Sequence, residues 1–265
     1  MTPQGVTIDG RRRRALECAR MRARPLLAAA LVLIAAPSLR AETPAEAARA
    51  LVARYHEDAT TIDRARTLLE GALEKERQVD TMIALSYVNF LVGDVRATTS
   101  DEKLAAYDRG REIGKRAVEL APKSHDAHLW FAINTARWGQ TKGILRSLFL
   151  VPTVKEEIAT LLDLNPKSLR AHILAGNVFL ELPGFVGGDR AKAEEHFKKA
   201  LEVDPHFTAA RVDLARLYIA SGRHADARRE LQRVINETAP TFVADCTVKD
   251  IPRAKELLAS IKDKS

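Results

Sequence analysis

The sequence has few cysteines, few aromatic residues and no apolar run of the about 20 residues that a membrane-spanning helix needs. Its two cysteines are Cys18 and Cys246. If Cys18 is removed with an N-terminal leader, no intramolecular disulfide can form, and packing must hold the fold. A lone cysteine without a metal-ligand neighbour is more often a small buried side chain than a nucleophile, and we expect this of Cys246.

Runs of alternating β-branched residues are also absent, which leaves little from which to build a sheet. The abundant residue types favour helix formation. Ala, Leu, Glu, Lys and Arg recur throughout the 265 residues, and these side chains lose little conformational entropy in a helix. The predicted fold class is all-α.

The N-terminal region has the pattern of an export signal. Seven arginines between residues 11 and 24 precede the apolar run 25–36, and small residues follow it. This order is typical of a secretory signal peptide. We expect residues 1–41 to be such a peptide, cleaved near residues 38–41, so that the mature chain is periplasmic or otherwise exported. An uncleaved anchor helix is the alternative.

The basic character of the chain belongs to this leader. Residues 1–41 contain eight arginines and two acids, so the 42 Lys+Arg and 35 Asp+Glu of the whole chain become 34 and 33 without them. A protein that binds nucleic acid needs a basic face to neutralise phosphates. We therefore expect no nucleic-acid partner.

Three segments of the chain align without gaps. They are AVELAPKSHDAHLWFA (117–132), LLDLNPKSLRAHILAG (161–176) and ALEVDPHFTAARVDLA (200–215). The proline of each segment separates two helices, because proline cannot continue a helix. A small residue ten places later lets two helices approach closely. Helix pairs of this kind bury their apolar faces by stacking, which predicts a solenoid.

The aligned pattern resembles the tetratricopeptide repeat (TPR) family. Its best match runs from Ala193 to Val234, and the resemblance is clearest over residues 100–240. It implies that residues 42–265 form a right-handed α-solenoid of about four TPR-like helix pairs with inserted loops. The implied role is that of a non-enzymatic scaffold that binds a protein or peptide.

The inserted stretches, 137–158 and 181–201, carry a narrower resemblance. They are similar to bacterial periplasmic proteins related to the T component of TRAP transporters, and LPGFVGGD (182–189) is the most specific piece. More loosely, the arrangement resembles the mitochondrial microtubule-dynamics-regulator family. The first resemblance implies an accessory subunit of a solute transport system whose partner is a substrate-binding protein.

Helix boundaries follow from caps and breakers. We predict a capping box at Thr43 and Glu46, a second at Thr153 and Glu156, and N-caps at Ser124 and Ser168. Glycines 93, 139 and 222 are predicted at helix ends, 238–248 as a loop, and 252–263 as a closing helix. The predicted helices are 44–55, 62–76, 80–92, 101–120, 125–137, 154–164, 169–181, 190–203, 208–220 and 224–237.

No catalytic residues, cofactor or metal site is predicted. Gly184, Gly187 and Gly188 lack the Lys and Ser/Thr of a phosphate-binding loop, and Asp189 is better explained as the N-cap of the next helix. His128 and His172 share one repeat position and are expected to pack. The basic, apolar segment 137–150 has two interpretations, a surface for a membrane or partner and an insertion that packs onto the solenoid.

The repeat register places residues four, seven and eleven after each proline on the concave face. Three of them, Arg170, Asn177 and Arg216, are hydrogen-bond donors and form the predicted partner groove, which would hold an extended backbone or a carboxylate. A solvated groove would have the same composition. The alternative function is that of a small-ligand carrier with an apolar pocket near 137–150 and 183–188.

Overall fold

The computed structural model describes residues 42–264, and those residues are helical with turns between, without a strand. The predicted signal peptide, 1–41, lies outside the described residues. The α-helices are α1 (Pro44–Ala53), α2 (Thr60–Lys75), α3 (Val79–Leu91), α4 (Ser100–Leu120), α5 (His125–Lys142), α6 (Val151–Leu164), α7 (Leu169–Glu181), α8 (Arg190–Val203), α9 (Thr208–Ala220), α10 (His224–Ile235), α11 (Val243–Asp245) and α12 (Ile251–Ser260).

Helices α1 to α10 form consecutive pairs that pack on their neighbours, which confirms the predicted α-solenoid. Within residues 42–264 there are five such pairs, where the sequence predicted about four. Pro122, Pro166 and Pro205 each lie in the turn between one pair and the next.

The positions that recur in the three aligned segments are the close contacts between helices. Ala132, Ala200 and Ala215 have no exposed surface. At the equivalent Gly176, an added Cβ would lie 2.4 Å from the ring of Phe197. A larger side chain at any of these places would push the paired helices apart.

The predicted N-caps are confirmed at three helices, where a side chain just before the helix bonds to its first turn. Thr43 and Glu46 form the predicted capping box. The hydroxyls of Ser124 and Ser168 accept hydrogen bonds from the backbone amides three residues later. The second predicted box, Thr153 with Glu156, is wrong, because the 3₁₀ segment Ile144–Leu150 leads directly into α6 at Val151.

Two of the predicted terminating glycines are also misplaced. Gly139 lies inside α5, which continues to Lys142, and Gly93 lies inside the π-helical turn Val92–Arg96. The residue that ends α5 is Gly143, whose φ of +102° is a conformation that favours glycine.

The predicted loop 238–248 is wrong in its second half. Helix α11 begins at Val243, and the π-helical turn Cys246–Asp250 joins it to α12. Cys246 is buried as expected, and burial raises the pKa of its thiol. The closing helix is confirmed, since Ala254 of α12 and Ile261 just beyond it are fully buried in the core of the last repeats.

Candidate functional site

A cavity of about 550 Å³ lies between α5, α7 and α9 on one side and the C-terminal residues 245–253 on the other. Seven of the nine residues that the repeat register assigned to the concave face line it. They are Ile133, Arg170, Ile173, Asn177, Ala209, Val212 and Arg216. The other two do not, because Leu129 is buried in the core and Asp126 is exposed.

Asn177 and Arg216 form one hydrogen-bonded group that joins α7 to α9. The amide nitrogen of Asn177 donates to Asp213 over 2.8 Å. Arg216 donates from Nη1 to Asn177 and Asp213 and from Nη2 to Glu181. Burial alone would lower the pKa of the guanidinium, but the carboxylates of Asp213 and Glu181 outweigh it and raise the pKa.

Arg170, the third predicted donor, is held apart from the other two. Its guanidinium carbon lies 4.4 Å from the ring centroid of Phe242 and 5.4 Å from that of Trp130. Its Nη2 is 3.5 Å from Oδ2 of Asp245. Arg170 thus already binds the ring of Phe242 and the carboxylate of Asp245, and both come from the C-terminal part of the chain itself.

Asp245 is the centre of an ion network that sequence reasoning missed. It accepts a hydrogen bond from Tyr55 and lies 3.2 Å from Nζ of Lys249, which also contacts Asp94 at 2.8 Å. Arg137 is 2.9 Å from the same Asp94. Burial raises the pKa of Asp94 and Asp245, but the adjacent cations outweigh it and hold both values low.

One local signal for this network was present in the sequence. Asp245 and Lys249 stand four residues apart, the spacing of an ion pair on a helix, in a stretch that the sequence analysis assigned to a loop. The contact with Tyr55 leaves no local pattern, because 190 residues separate the partners.

Asp250, on the cavity wall, has no cation within ion-pair distance in the described part of the chain. The hydroxyl of Thr208 donates to its Oδ2 over 2.6 Å. Burial raises the pKa of this carboxyl to about 6, against the opposing effects of the Thr208 hydrogen bond and of Lys249. The group is therefore partly protonated just below neutral pH.

The histidines predicted to pack have a shared structural role. Nε2 of His128 lies 3.0 Å from the carbonyl of Pro122, and its Nδ1 lies 2.6 Å from Glu157 on the paired helix α6. In the third repeat Arg211 makes the equivalent contacts, with the carbonyl of Pro205 and with Glu230 on α10. In both repeats, these contacts connect the first helix of the pair to the turn that precedes it and to the second helix of the pair.

The middle repeat differs at one position. Nε2 of His172 contacts the carbonyl of Pro166 at 2.9 Å, but its Nδ1 meets Nδ1 of His196, 3.0 Å away, where the other repeats have an acid. A contact between two ring nitrogens requires one of them to be unprotonated. Across residues 42–264 there is no group of three His, Cys, Asp or Glu side chains placed to hold a metal ion.

The glycine-rich turn before α8 is a structural turn, as predicted. Gly187 has a φ of +98°, and an added Cβ on Gly188 would collide with the carbonyl oxygen of Leu182. The carboxylate of Asp189 accepts hydrogen bonds from the backbone amides of Ala191 and Lys192 at the start of α8. It therefore occupies the place where a bound anion would lie.

Segment 137–150 packs onto the solenoid on one side and is exposed on the other. Gly139 and Ser147 face each other in a packed contact, and Leu150 lines the cavity. On the other side, 69% of Leu145 and 67% of Phe149 are exposed. The apolar pocket predicted for a carrier is not formed as expected, because residues 183–188 do not line the cavity and its walls carry many charges. None of the described helices is both long and apolar enough to span a bilayer.

One solved structure that resembles this chain is that of a TPR protein. A thermophilic TPR protein of Thermus thermophilus superposes with a TM-score of 0.62 at 19% identity, over 83% of this chain and 100% of its own. A tetratricopeptide-repeat family model also matches residues 187–241. These matches support the TPR fold inferred from the aligned prolines.

Among curated proteins, the chain is similar to regulators of microtubule dynamics. It is 29% identical to regulator of microtubule dynamics protein 1 of Pongo abelii over 127 residues, 42% of this chain and 40% of the relative. It is 25% identical to protein 3 of Mus musculus over 194 residues, 64% of this chain and 41% of the relative. The chain thus spans about 40% of the length of these relatives.

The looser of the two resemblances drawn from the sequence is therefore the one that these comparisons support. The family model for regulator of microtubule dynamics protein 1-3 matches residues 45–180, slightly more than half of the 265 residues. It covers α1 to α6 and nearly all of α7, and the TPR model covers α8 to α10. The chain belongs to the regulator of microtubule dynamics protein 1-3 family.

Proposed function

We propose that this protein is a non-enzymatic scaffold that binds an extended segment of a partner protein in the cavity between α5, α7 and α9. TPR solenoids present such concave surfaces to their partners. The walls of this cavity combine apolar side chains with hydrogen-bond donors from two neighbouring repeats, the combination that recognises a peptide backbone and its side chains.

The observation that carries the proposal is the contact of Arg170 with the C-terminal segment of the chain. Phe242 stacks on the guanidinium, and Asp245, three residues later, meets it with a carboxylate. This segment shows which chemistry the face accepts, an aromatic side chain followed by an acid. The Arg170 side chain remains 21% exposed, so a partner segment with these features would reach it beside Phe242 and Asp245 and extend towards Asn177 and Arg216.

Asn177 and Arg216 suit a second polar group of that segment. Their present partners, Asp213 and Glu181, are carboxylates of the chain itself, and 29% of the Arg216 side chain remains exposed. A partner carboxylate can therefore approach the guanidinium without first opening the helix pair. Charge-assisted bonds of this type are about twice as strong as neutral ones.

We further propose that the protein is exported and serves a solute transport system, with a substrate-binding protein as partner. The N-terminal arginines and apolar run support export, and segments 137–158 and 181–201 support the transport role through their resemblance to T components of TRAP transporters. N-terminal sequencing of the cellular protein tests export, with a mature N terminus expected near Glu42. A cytoplasmic protein that starts at Met1 or Met21 would contradict it.

The relatives' names describe regulation of microtubule dynamics. What this chain shares with them is sequence similarity over about 40% of their length, in a part that is a helical repeat in this chain. We extend to this chain only the scaffold role of that shared part.

A small-ligand carrier is the second candidate, and the cavity volume favours it. About 550 Å³ lies within the usual range for ligand sites. The charged walls argue against an apolar solute, and a carrier of this geometry would select a polar ligand. A titration calorimetry signal with a small solute, and none with a peptide, would replace the scaffold proposal by this one.

The scaffold proposal is tested by partner capture from an exported-protein fraction. The variant Arg170→Ala/Arg216→Ala should bind the captured partner more than tenfold more weakly, with unchanged helical circular dichroism. Arg54→Ala/Arg109→Ala is the matched control, because both arginines form i,i+3 pairs on the exposed surface, away from the cavity. Equal affinity of the cavity variant and the wild type would exclude the groove as the binding site.

A further inference from the structure

The insertions after α5 and after α7 emerge at the same edge of the solenoid. Gln140, near the end of α5, donates to both carboxylate oxygens of Glu181, the last residue of α7, over 2.8 and 2.9 Å. Lys155 donates to the carbonyl of Val186 in the second insertion over 3.1 Å. The two insertions are therefore in contact, through Lys155 of the first and Val186 of the second.

These two segments expose large apolar side chains that nothing in the described chain covers. Phe185 is 80% exposed, in addition to Leu145 and Phe149. They project from two short segments at the ends of helices and not from the floor of a groove. Isolated exposed apolar residues need no explanation. Here Leu145 and Phe149 lie on one insertion and Phe185 on the insertion in contact with it, so we treat the three as one patch.

Four cations lie on the same two insertions. They are Lys142, Arg146, Lys155 and Arg190, which are exposed, and within residues 42–264 none of the four forms an ion pair. We call the three apolar residues and these four cations the insertion tip.

The acids near the insertion tip do not neutralise it. Asp189 is engaged as the cap of α8, and Glu181 is bonded to Arg216 and Gln140. Glu156 is exposed beside Lys155 and is one charge against four. The tip therefore keeps a net positive rim around its apolar centre.

We infer that the insertion tip docks onto an anionic phospholipid surface. Phenylalanine and leucine side chains enter the boundary between headgroups and acyl chains, while lysines and arginines above them attract anionic headgroups. The positive charge of the four cations favours an anionic lipid surface over a purely apolar partner. Docking by this edge leaves the cavity between α5, α7 and α9 free for a partner, so this inference is independent of the proposed function.

The test uses the full-length chain with a local fluorescent reporter. Phe149→Trp adds a tryptophan at the tip, and the signal of the native Trp130 and Trp138 is subtracted with the wild-type protein. Vesicles of phosphatidylcholine and phosphatidylserine that carry brominated acyl chains should quench the new tryptophan. Leu120→Trp is the matched control, because Leu120 is also exposed but ends α4 at the opposite edge of the solenoid.

The charge requirement is tested on the same reporter. Arg146→Gln/Arg190→Gln should weaken partition onto the anionic vesicles by roughly tenfold or more at about 0.1 M salt, since each cation near the surface contributes to binding. Vesicles of phosphatidylcholine alone should quench much less.

Three results would overturn the inference. They are no quenching of Phe149→Trp, equal quenching of Leu120→Trp, and equal partition of the charge variant. Failure to respond to vesicles, together with a shift of the Phe149→Trp emission by an acidic peptide, would assign the tip to a protein partner instead.

Discussion

The hydroxyl of Tyr55 donates a 2.6 Å hydrogen bond to Oδ1 of Asp245, 190 residues later in the chain. Tyr55 is only 2% exposed, and Asp245 also meets Arg170 and Lys249. The bond connects the end of the first helix with the C-terminal segment across the concave face. The C-terminal segment is therefore part of the binding surface and not an appendage to it.

Tyr55→Phe should lower the free energy of unfolding by about 1–2 kcal/mol, because the buried carboxylate of Asp245 loses one of its hydrogen-bond donors. Chemical denaturation measures this change in free energy. Tyr218→Phe is the control, since its hydroxyl donates to the partly exposed Glu194 over 3.1 Å and its loss should cost less. Equal stabilities of Tyr55→Phe and the wild type would show that the C-terminal segment is not fixed by this contact.

Ala215→Leu should destabilise the protein by about 1–3 kcal/mol, because Ala215 has no exposed surface and a larger side chain must displace a helix. Thermal unfolding beside Lys198→Leu, on the exposed face of α8, gives the comparison. If both variants unfold at the wild-type temperature, the repeat register is wrong.

Asp250→Asn should stabilise the protein at pH 7 by up to about 2 kcal/mol. The pKa of this carboxyl is raised to about 6 in the folded state, against 3.8 as the ordinary value. The folded protein therefore holds this proton more tightly, so the contribution of Asp250 to stability falls as pH rises from about 4 to about 6. Denaturation curves across this window should show that the stability difference between the variant and the wild type grows as pH rises, since the other titrating groups are common to both.

His196→Glu should make the protein more stable at pH 5, by about 1 kcal/mol or about 2–4 °C in the unfolding midpoint. Burial and His172 lower the pKa of His196 below 6.5. At this site the unfolded chain then binds more protons below pH 6.5, and the contribution of His196 to stability falls as the medium becomes more acidic. A glutamate copies the arrangement of His128 with Glu157 in the preceding repeat. An unchanged or lower midpoint at pH 5 would contradict this interpretation.

The sequence predicted well those features that depend on residues close together in the chain. Pro122, Pro166 and Pro205 determine the register, and the register places Arg170, Asn177 and Arg216 on the wall of one cavity. The engagement of Arg170 by Phe242 and Asp245 was beyond sequence reasoning. It depends on the curvature of the solenoid. This curvature adds up from the packing angles of all helix pairs, so no single position of the sequence indicates it.

The helix boundaries that were wrong have a related cause. The sequence predicts Gly139 as a terminator, but α5 continues through it to Lys142, where its last turns pack against Ser147 and Leu150 of the insertion. Propensity at a single position was overridden by packing between segments.

The central claim, that a partner segment occupies the cavity between α5, α7 and α9, is tested most directly by site-specific photo-cross-linking. Ile173, on the cavity wall, is replaced by p-benzoylphenylalanine, and Leu164, exposed at the end of α6, receives the same residue as the control. The account predicts that the partner is cross-linked from position 173 and not from position 164. Cross-linking from position 164 alone would contradict it.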